Sequence, residues 1–133
     1  MKKNNMALHH IGIVIQNEDM LDDLKEKFNI QEDYRGYVKE YKTLCIFMKD
    51  FGGCTLEFII PESGKLLEFN NGRGGIHHLA FEISNLNSFK QSLNEKGVNF
   101  ITDYDVKGAG SFKVNFTKPK TSDYLLFEFL EKV

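Results

Sequence analysis

Apolar positions alternate with small or polar ones in two stretches of the chain, and in both the alternation gives way to a helical pattern after an asparagine. Residues 8–30 read LHHIGIVIQNEDMLDDLKEKFNI and residues 76–98 read IHHLAFEISNLNSFKQSLNEKGV. The pairs His9/His77, His10/His78, Ile15/Ile83 and Asn17/Asn85 are each 68 positions apart. Each stretch predicts a strand, a polar turn and then a helix, over about 19–28 in the first and 86–96 in the second. Strand-like runs follow the first helix near 33–38, 42–49 and 54–60, the last two joined by a hairpin turn at Asp50-Phe51-Gly52-Gly53. Runs near 98–105, 112–117 and 124–131 follow the second, separated by Gly108-Ala109-Gly110 and by Pro119-Lys120-Thr121-Ser122-Asp123. The chain is therefore an internal repeat of a β-α-β-β-β module. Module one spans about 6–61, a linker about 62–74, and module two about 75–133.

The expected fold is α+β: two βαβββ modules forming a curved, incomplete eight-stranded barrel with the helices outside. Neither half could bury much apolar surface alone, so the two are expected to pack side by side as one domain. The 12 phenylalanines supply bulky core material.

Charge and cysteines narrow the class. The net charge of −2 argues against a dedicated nucleic-acid binder. No run approaches the ~18 apolar residues of a membrane span, and residues 1–6 are polar with no apolar signal segment. A cytoplasmic protein is expected, with no membrane partner. Cys45 and Cys54 have no metal or redox spacing and read as reduced, buried thiols.

Strand side chains alternate between faces. In the first strand Ile11, Ile13 and Ile15 share a face with His9, while Gly12 and Val14 share the other with His10. In the repeat Leu79, Phe81 and Ile83 go with His77, and Ala80 and Glu82 with His78. The bulky face should pack under the helix, which sends His10 and His78 to the opposite face at equivalent positions. The last strand of each module then carries a glutamate among apolar residues, Glu57 in Leu56-Glu57-Phe58 and Glu128 in Phe127-Glu128-Phe129. An ionised carboxylate buried there without a partner would cost several kcal/mol. Either these are core histidines with glutamates facing solvent on an edge strand, or the four share a divalent cation. Imidazole and carboxylate suit cobalt, nickel or zinc.

The motifs LHHIGIVI at 8–15, LEFIIP at 56–61, GGIHHLAFEI at 74–83, GAGSFKVNFTKPK at 108–120 and FEFLE at 127–131 give the chain a family likeness. It resembles the vicinal-oxygen-chelate superfamily (glyoxalases, bleomycin-resistance proteins and dioxygenases), and within it the methylmalonyl-CoA epimerase family most closely. The resemblance implies metal ligands at His10, Glu57, His78 and Glu128. It also implies a metal-dependent isomerase acting α to a thioester carbonyl, with Glu128 as one base and Glu57, or a metal-bound water, as the second. Some epimerases carry a further carboxylate on the third strand, and Leu44-Cys45-Ile46 has none. Lys120, in the Pro-Lys turn, and Ser111, after Gly-Ala-Gly, are the expected substrate contacts. Relatives that pair as homodimers make a homodimer the expectation.

Three other functions share this pattern. A glyoxalase I (lactoylglutathione lyase) would act on a glutathione hemithioacetal, but the Asn-Trp-Gly continuation common there is missing. A ring-cleaving dioxygenase uses two His and one Glu, so the fourth position, Glu57, argues against it. A non-catalytic small-molecule-binding relative would have no need of the ligand set.

Overall fold

The structure, a computed structural model, describes residues 6–133. Residues 1–5, part of the polar stretch expected to carry no signal segment, lie outside the described residues.

Two asparagines start the two helices in the same way. Asn17 is extended ahead of α1 (Glu18–Phe28), and its side-chain oxygen accepts from the Met20 N–H at 3.0 Å. Asn85 does the same ahead of α2 (Leu86–Glu95), accepting from the Ser88 N–H at 3.0 Å. Each satisfies an amide that the first helical turn leaves without an intrahelical acceptor. The strands are β1 (Ala7–Val14), β2 (Glu32–Val38), β3 (Thr43–Met48), β4 (Thr55–Pro61), β5 (Gly75–Glu82), β6 (Val106–Lys107), β7 (Phe112–Phe116) and β8 (Phe127–Lys132). The chain is α+β, and each half runs β-α-β-β-β as the repeat predicts. Contacts divide it into two compact units, residues 10–77 and residues 78–133 with the described residues before 10, so that the boundary falls inside each His-His pair. Among the described residues no helix is long and apolar enough to cross a membrane.

In the first unit the strand order is β2-β3-β4-β1, with β1 parallel to β4 and the other pairs antiparallel. Ile15, Leu21, Ile46, Met48 and Phe58 form its core, and Ile13, Leu24, Ile30, Leu44, Leu56 and Ile60 pack against them. The strand residues among them lie on the face under α1, as the alternation requires, against Leu21 and Leu24 of the helix. The hairpin at 50–53 closes through the Asp50 carboxylate, which accepts from Gly53 N–H at 2.6 Å, with both glycines at positive φ (87° and 103°). Cys45 is buried and Cys54 only half-buried; both are free thiols. The linker makes a 3-10 turn (Lys65–Glu68) and returns against β1 at Gly74, where a Cβ would lie 2.3 Å from the Val14 carbonyl oxygen.

In the second unit the order is β5-β8-β7-β6, with β5 parallel to β8. Ile83, Leu86, Phe100 and Phe129 form the core under α2. Here the sequence reading needs correction. The run 98–105 is not a strand: it makes one isolated bridge, Phe100 to Thr117, before the two-residue β6. The cause is Asn115, fully buried on the helix side of β7. Its Nδ2 donates to the Thr102 carbonyl at 3.1 Å and to Asp105 at 3.1 Å, and its Oδ1 accepts from the Thr102 hydroxyl at 3.2 Å. Lys90 completes the cluster on Asp105 at 2.6 Å. Backbone polar groups that a ladder would have satisfied are satisfied by side chains instead. β8 likewise starts at Phe127 rather than 124, because Asp123 and Tyr124 are left-handed (φ 56° and 64°).

Candidate metal centre

Cross-strand register sets the site in the first unit. Gly12 on β1, Glu57 on β4, Phe47 on β3 and Tyr34 on β2 lie opposite one another in a single row. Directly opposed residues share a face, and this row faces away from α1. His10, two residues before Gly12 on the same face, brings its Nε2 to 3.3 Å from Glu57 Oε1. The Phe47 ring meets the imidazole of His10 edge-on, with centroids 5.1 Å apart and planes at 88°, a geometry that fixes the ring's orientation.

The second unit repeats this arrangement. Ala80, Glu128 and Phe116 form the matching row on β5, β8 and β7. His78 Nε2 stands 3.5 Å from Glu128 Oε1, and Phe116 meets the His78 ring at 5.1 Å and 90°. All four polar residues are buried: His10 is 2% exposed, Glu57 6%, His78 4% and Glu128 7%.

The donor chemistry fits a divalent ion. A charge-assisted N–H···O bond closes to about 2.7–2.9 Å, shorter than either His-Glu separation. Two ligands each about 2.0–2.2 Å from one ion, at roughly tetrahedral angles, stand roughly 3.1–3.6 Å apart. Both pairs fall in that interval, and each offers one neutral imidazole nitrogen and one carboxylate oxygen. Each unit can therefore contribute two ligands.

The other two expected residues are at the surface. Ser111 is exposed just before β7, and its carbonyl accepts from Val133 N–H at 2.8 Å. Lys120 is exposed in a 3-10 turn (Pro119–Thr121) after β7. On β3 the face shared with Glu57 carries Thr43, Cys45 and Phe47, with no carboxylate. Three aromatic neighbours escaped the sequence reading. Phe47 and Phe116 could have been found, because they are repeat partners 69 positions apart. Tyr34 could not. It stacks on Phe47 at 4.7 Å and 12°, and its hydroxyl is pushed up to about 12, first by burial and then by the negative charge of Glu57.

With that geometry established, known proteins give it a family. The description "Glyoxalase/Bleomycin resistance protein/Dioxygenase superfamily" matches residues 9–116. The chain belongs to the glyoxalase/bleomycin resistance protein/dioxygenase superfamily. The superfamily match includes His10, Glu57 and His78 and stops before Glu128. One relative, the uncharacterized protein YqjC of Bacillus subtilis, is 27% identical over 128 residues, covering 93% of this chain and 91% of its own. A crystal structure of a hypothetical protein from Bacillus halodurans is 27% identical with a TM-score of 0.86, covering 98% of this chain and 96% of that one. The methylmalonyl-CoA epimerase of Mycobacterium tuberculosis superposes with a TM-score of 0.88 over 100% of this chain and 93% of its own; at 18% identity it shares the superfamily fold.

Proposed function

We propose that the chain is a divalent-metal-dependent isomerase that removes the proton α to a thioester carbonyl, with methylmalonyl-CoA as its leading substrate. His10, Glu57, His78 and Glu128 would together hold one cobalt, nickel or zinc ion, with the two modules working as a single domain in a cytoplasmic homodimer. The observation that carries this reading is the duplicated His-Glu pair, buried in each unit at ligand spacing and steadied by a phenylalanine edge. Membership of the superfamily, and a fold shared with a methylmalonyl-CoA epimerase, support the reaction class.

A divalent cation, when bound, supplies Lewis-acid stabilisation to substrate oxygens as negative charge develops on them. The protein's own groups handle the proton. Glu128 takes it from the α carbon and Glu57, entering the cycle as the carboxylic acid, returns one to the opposite face; proton exchange with solvent then resets both groups, so the carbon inverts with no net change in protonation. β3 offers no carboxylate on this face, and Glu57 is our choice for the second base. Burial beside apolar rings keeps bulk water from competing for the proton. Lys120 and Ser111 would contact the CoA part of the substrate.

The test is α-proton exchange. Metal-loaded protein is incubated with methylmalonyl-CoA in D₂O, with and without chelator, and the thioester is weighed by mass spectrometry. Chelator-sensitive deuterium uptake is the expected result. No uptake by protein shown to contain metal would overturn the epimerase reading and direct attention to the glutathione hemithioacetal of methylglyoxal.

A further inference from the structure

β2 carries a feature that the alternation of its sequence conceals. Glu32 and Tyr34 are two residues apart and would share a face in a regular strand. The register shifts between them: Glu32 lies opposite Met48, and Tyr34 opposite Phe47. Met48 belongs to the core under α1, whereas Phe47 lies in the row of Glu57. The bulge at Asp33 therefore leaves Glu32 on the helix face, where it meets Lys25 of α1 at 3.0 Å, and turns Tyr34 to the face of Glu57 and His10. The Tyr34 ring stacks flat on Phe47, the same ring that meets His10 edge-on. Among the described residues no group hydrogen-bonds its hydroxyl. Module two has no counterpart: the residue 68 positions on is Thr102, whose hydroxyl is engaged with Tyr104 and Asn115.

We propose that Tyr34 is a substrate-contacting specificity residue, whose hydroxyl donates a hydrogen bond to the carboxylate of a 2-carboxyacyl thioester. This assignment rests on the proposed function and adds to it the group that selects a carboxylated acyl chain. Two buried glutamates balance the charge of one divalent cation, so a further carboxylate meets no surplus positive charge, and a neutral donor on the margin stabilises it without adding a competing ligand. A tyrosine phenol, with an ordinary pKa of about 10, keeps its proton throughout the physiological range. Its ring is oriented by the stack on Phe47, so donation costs little rotamer freedom.

The test compares two thioesters on cobalt-loaded wild type and Tyr34→Phe, a substitution that keeps the stacked ring. Titration calorimetry gives the affinity for methylmalonyl-CoA and for propionyl-CoA, which lacks the carboxylate; cobalt content and wild-type α-proton exchange are measured alongside. The variant is expected to lose about 10-fold to 100-fold in affinity for methylmalonyl-CoA, the size of a hydrogen bond to a charged group, and to match wild type within about twofold on propionyl-CoA. Unchanged affinity for methylmalonyl-CoA overturns the assignment. An equal loss on both thioesters also overturns it, because the hydroxyl would then contact the part they share, and so does loss of cobalt. A wild-type protein that neither binds nor exchanges methylmalonyl-CoA brings down the proposed function, and this assignment with it.

Discussion

The two modules agree on one face, Tyr34 apart, and differ more widely on the other. Away from the helices the rows Gly12–Glu57–Phe47 and Ala80–Glu128–Phe116 match residue for residue, down to histidine-to-phenylalanine distances of 5.1 Å in both. On the helix side they diverge. Ile46, opposite Phe58, is an apolar core residue, and its strand is flanked by the seven-residue β2. Asn115, opposite Phe129, occupies the corresponding position and ties down an irregular segment instead. A duplicated fold can lose a strand on its outer side when side-chain hydrogen bonds replace the ladder. The His-Glu face tolerates far less, because there two distances and two ring orientations must hold at once.

If that equivalence is functional, His10→Ala and His78→Ala should be equally damaging. Each is expected to weaken metal binding by at least about 100-fold, since even residues one shell further out typically cost 10- to 100-fold. Metal content after dialysis and a competition titration check this. Retention of metal by either variant would break the pairing of the modules. Next in size is a test of chemistry against binding. Glu128→Gln removes a proton acceptor and is expected to lower turnover by about 100-fold to 10,000-fold. Lys120→Ala, on an exposed turn, should act mainly on KM. Equal losses in kcat would put chemistry and binding in the wrong places.

How much of this was legible in the sequence follows from how local each cause is. The repeat and the shared face of His10 and His78 follow from period-two alternation and an offset of 68 positions, and the helix starts follow from Asn17 and Asn85, all signals carried by neighbouring residues, whereas the burial of Glu57 and Glu128 stayed open between solvent and a shared cation. The irregularity of 98–105 was hidden, because Phe100 and Ile101 look like strand residues while the deciding group, Asn115, lies more than ten positions away. Tyr34 was hidden for the opposite reason. Alternation is the signal itself, and a single bulge at Asp33 reverses it without changing the composition. Nothing in residues 31–35 distinguishes a bulged strand from a regular one.

The helix-side difference can be sharpened by stability. Asn115→Leu removes a fully buried amide, strands the Thr102 carbonyl and leaves Asp105 with Lys90 alone of its two side-chain partners. It should cost about 2–4 kcal/mol, whereas Ile46→Val at the matching position should cost about 0.5–1.5 kcal/mol. Denaturant unfolding measures both. Similar costs would mean that Asn115 acts as a space-filler rather than as the anchor of 98–105.

The smallest effect concerns how β2 is tied to its helix. Arg35 grips Glu32 through Nε at 2.8 Å and Nη2 at 2.7 Å, and also reaches Glu18 of α1 at 3.0 Å. Hydrogen bonding from Arg35, aided by Lys25 and opposed by partial burial, lowers the Glu32 carboxyl from 4.5 to about 2. A carboxyl that is more acidic in the folded chain than in the unfolded one stabilises the fold fully above its unfolded value. That contribution is lost as pH falls from about 4.5 to about 2. After allowance for solvent screening it amounts to about 1 kcal/mol. Unfolding free energies of wild type and Glu32→Gln should therefore differ by about that much at neutral pH and converge near pH 2. A difference that persists unchanged into acid would show that Glu32 holds β2 to α1 by packing and neutral hydrogen bonds. The bulge that aims Tyr34 would then owe its position to shape rather than to charge.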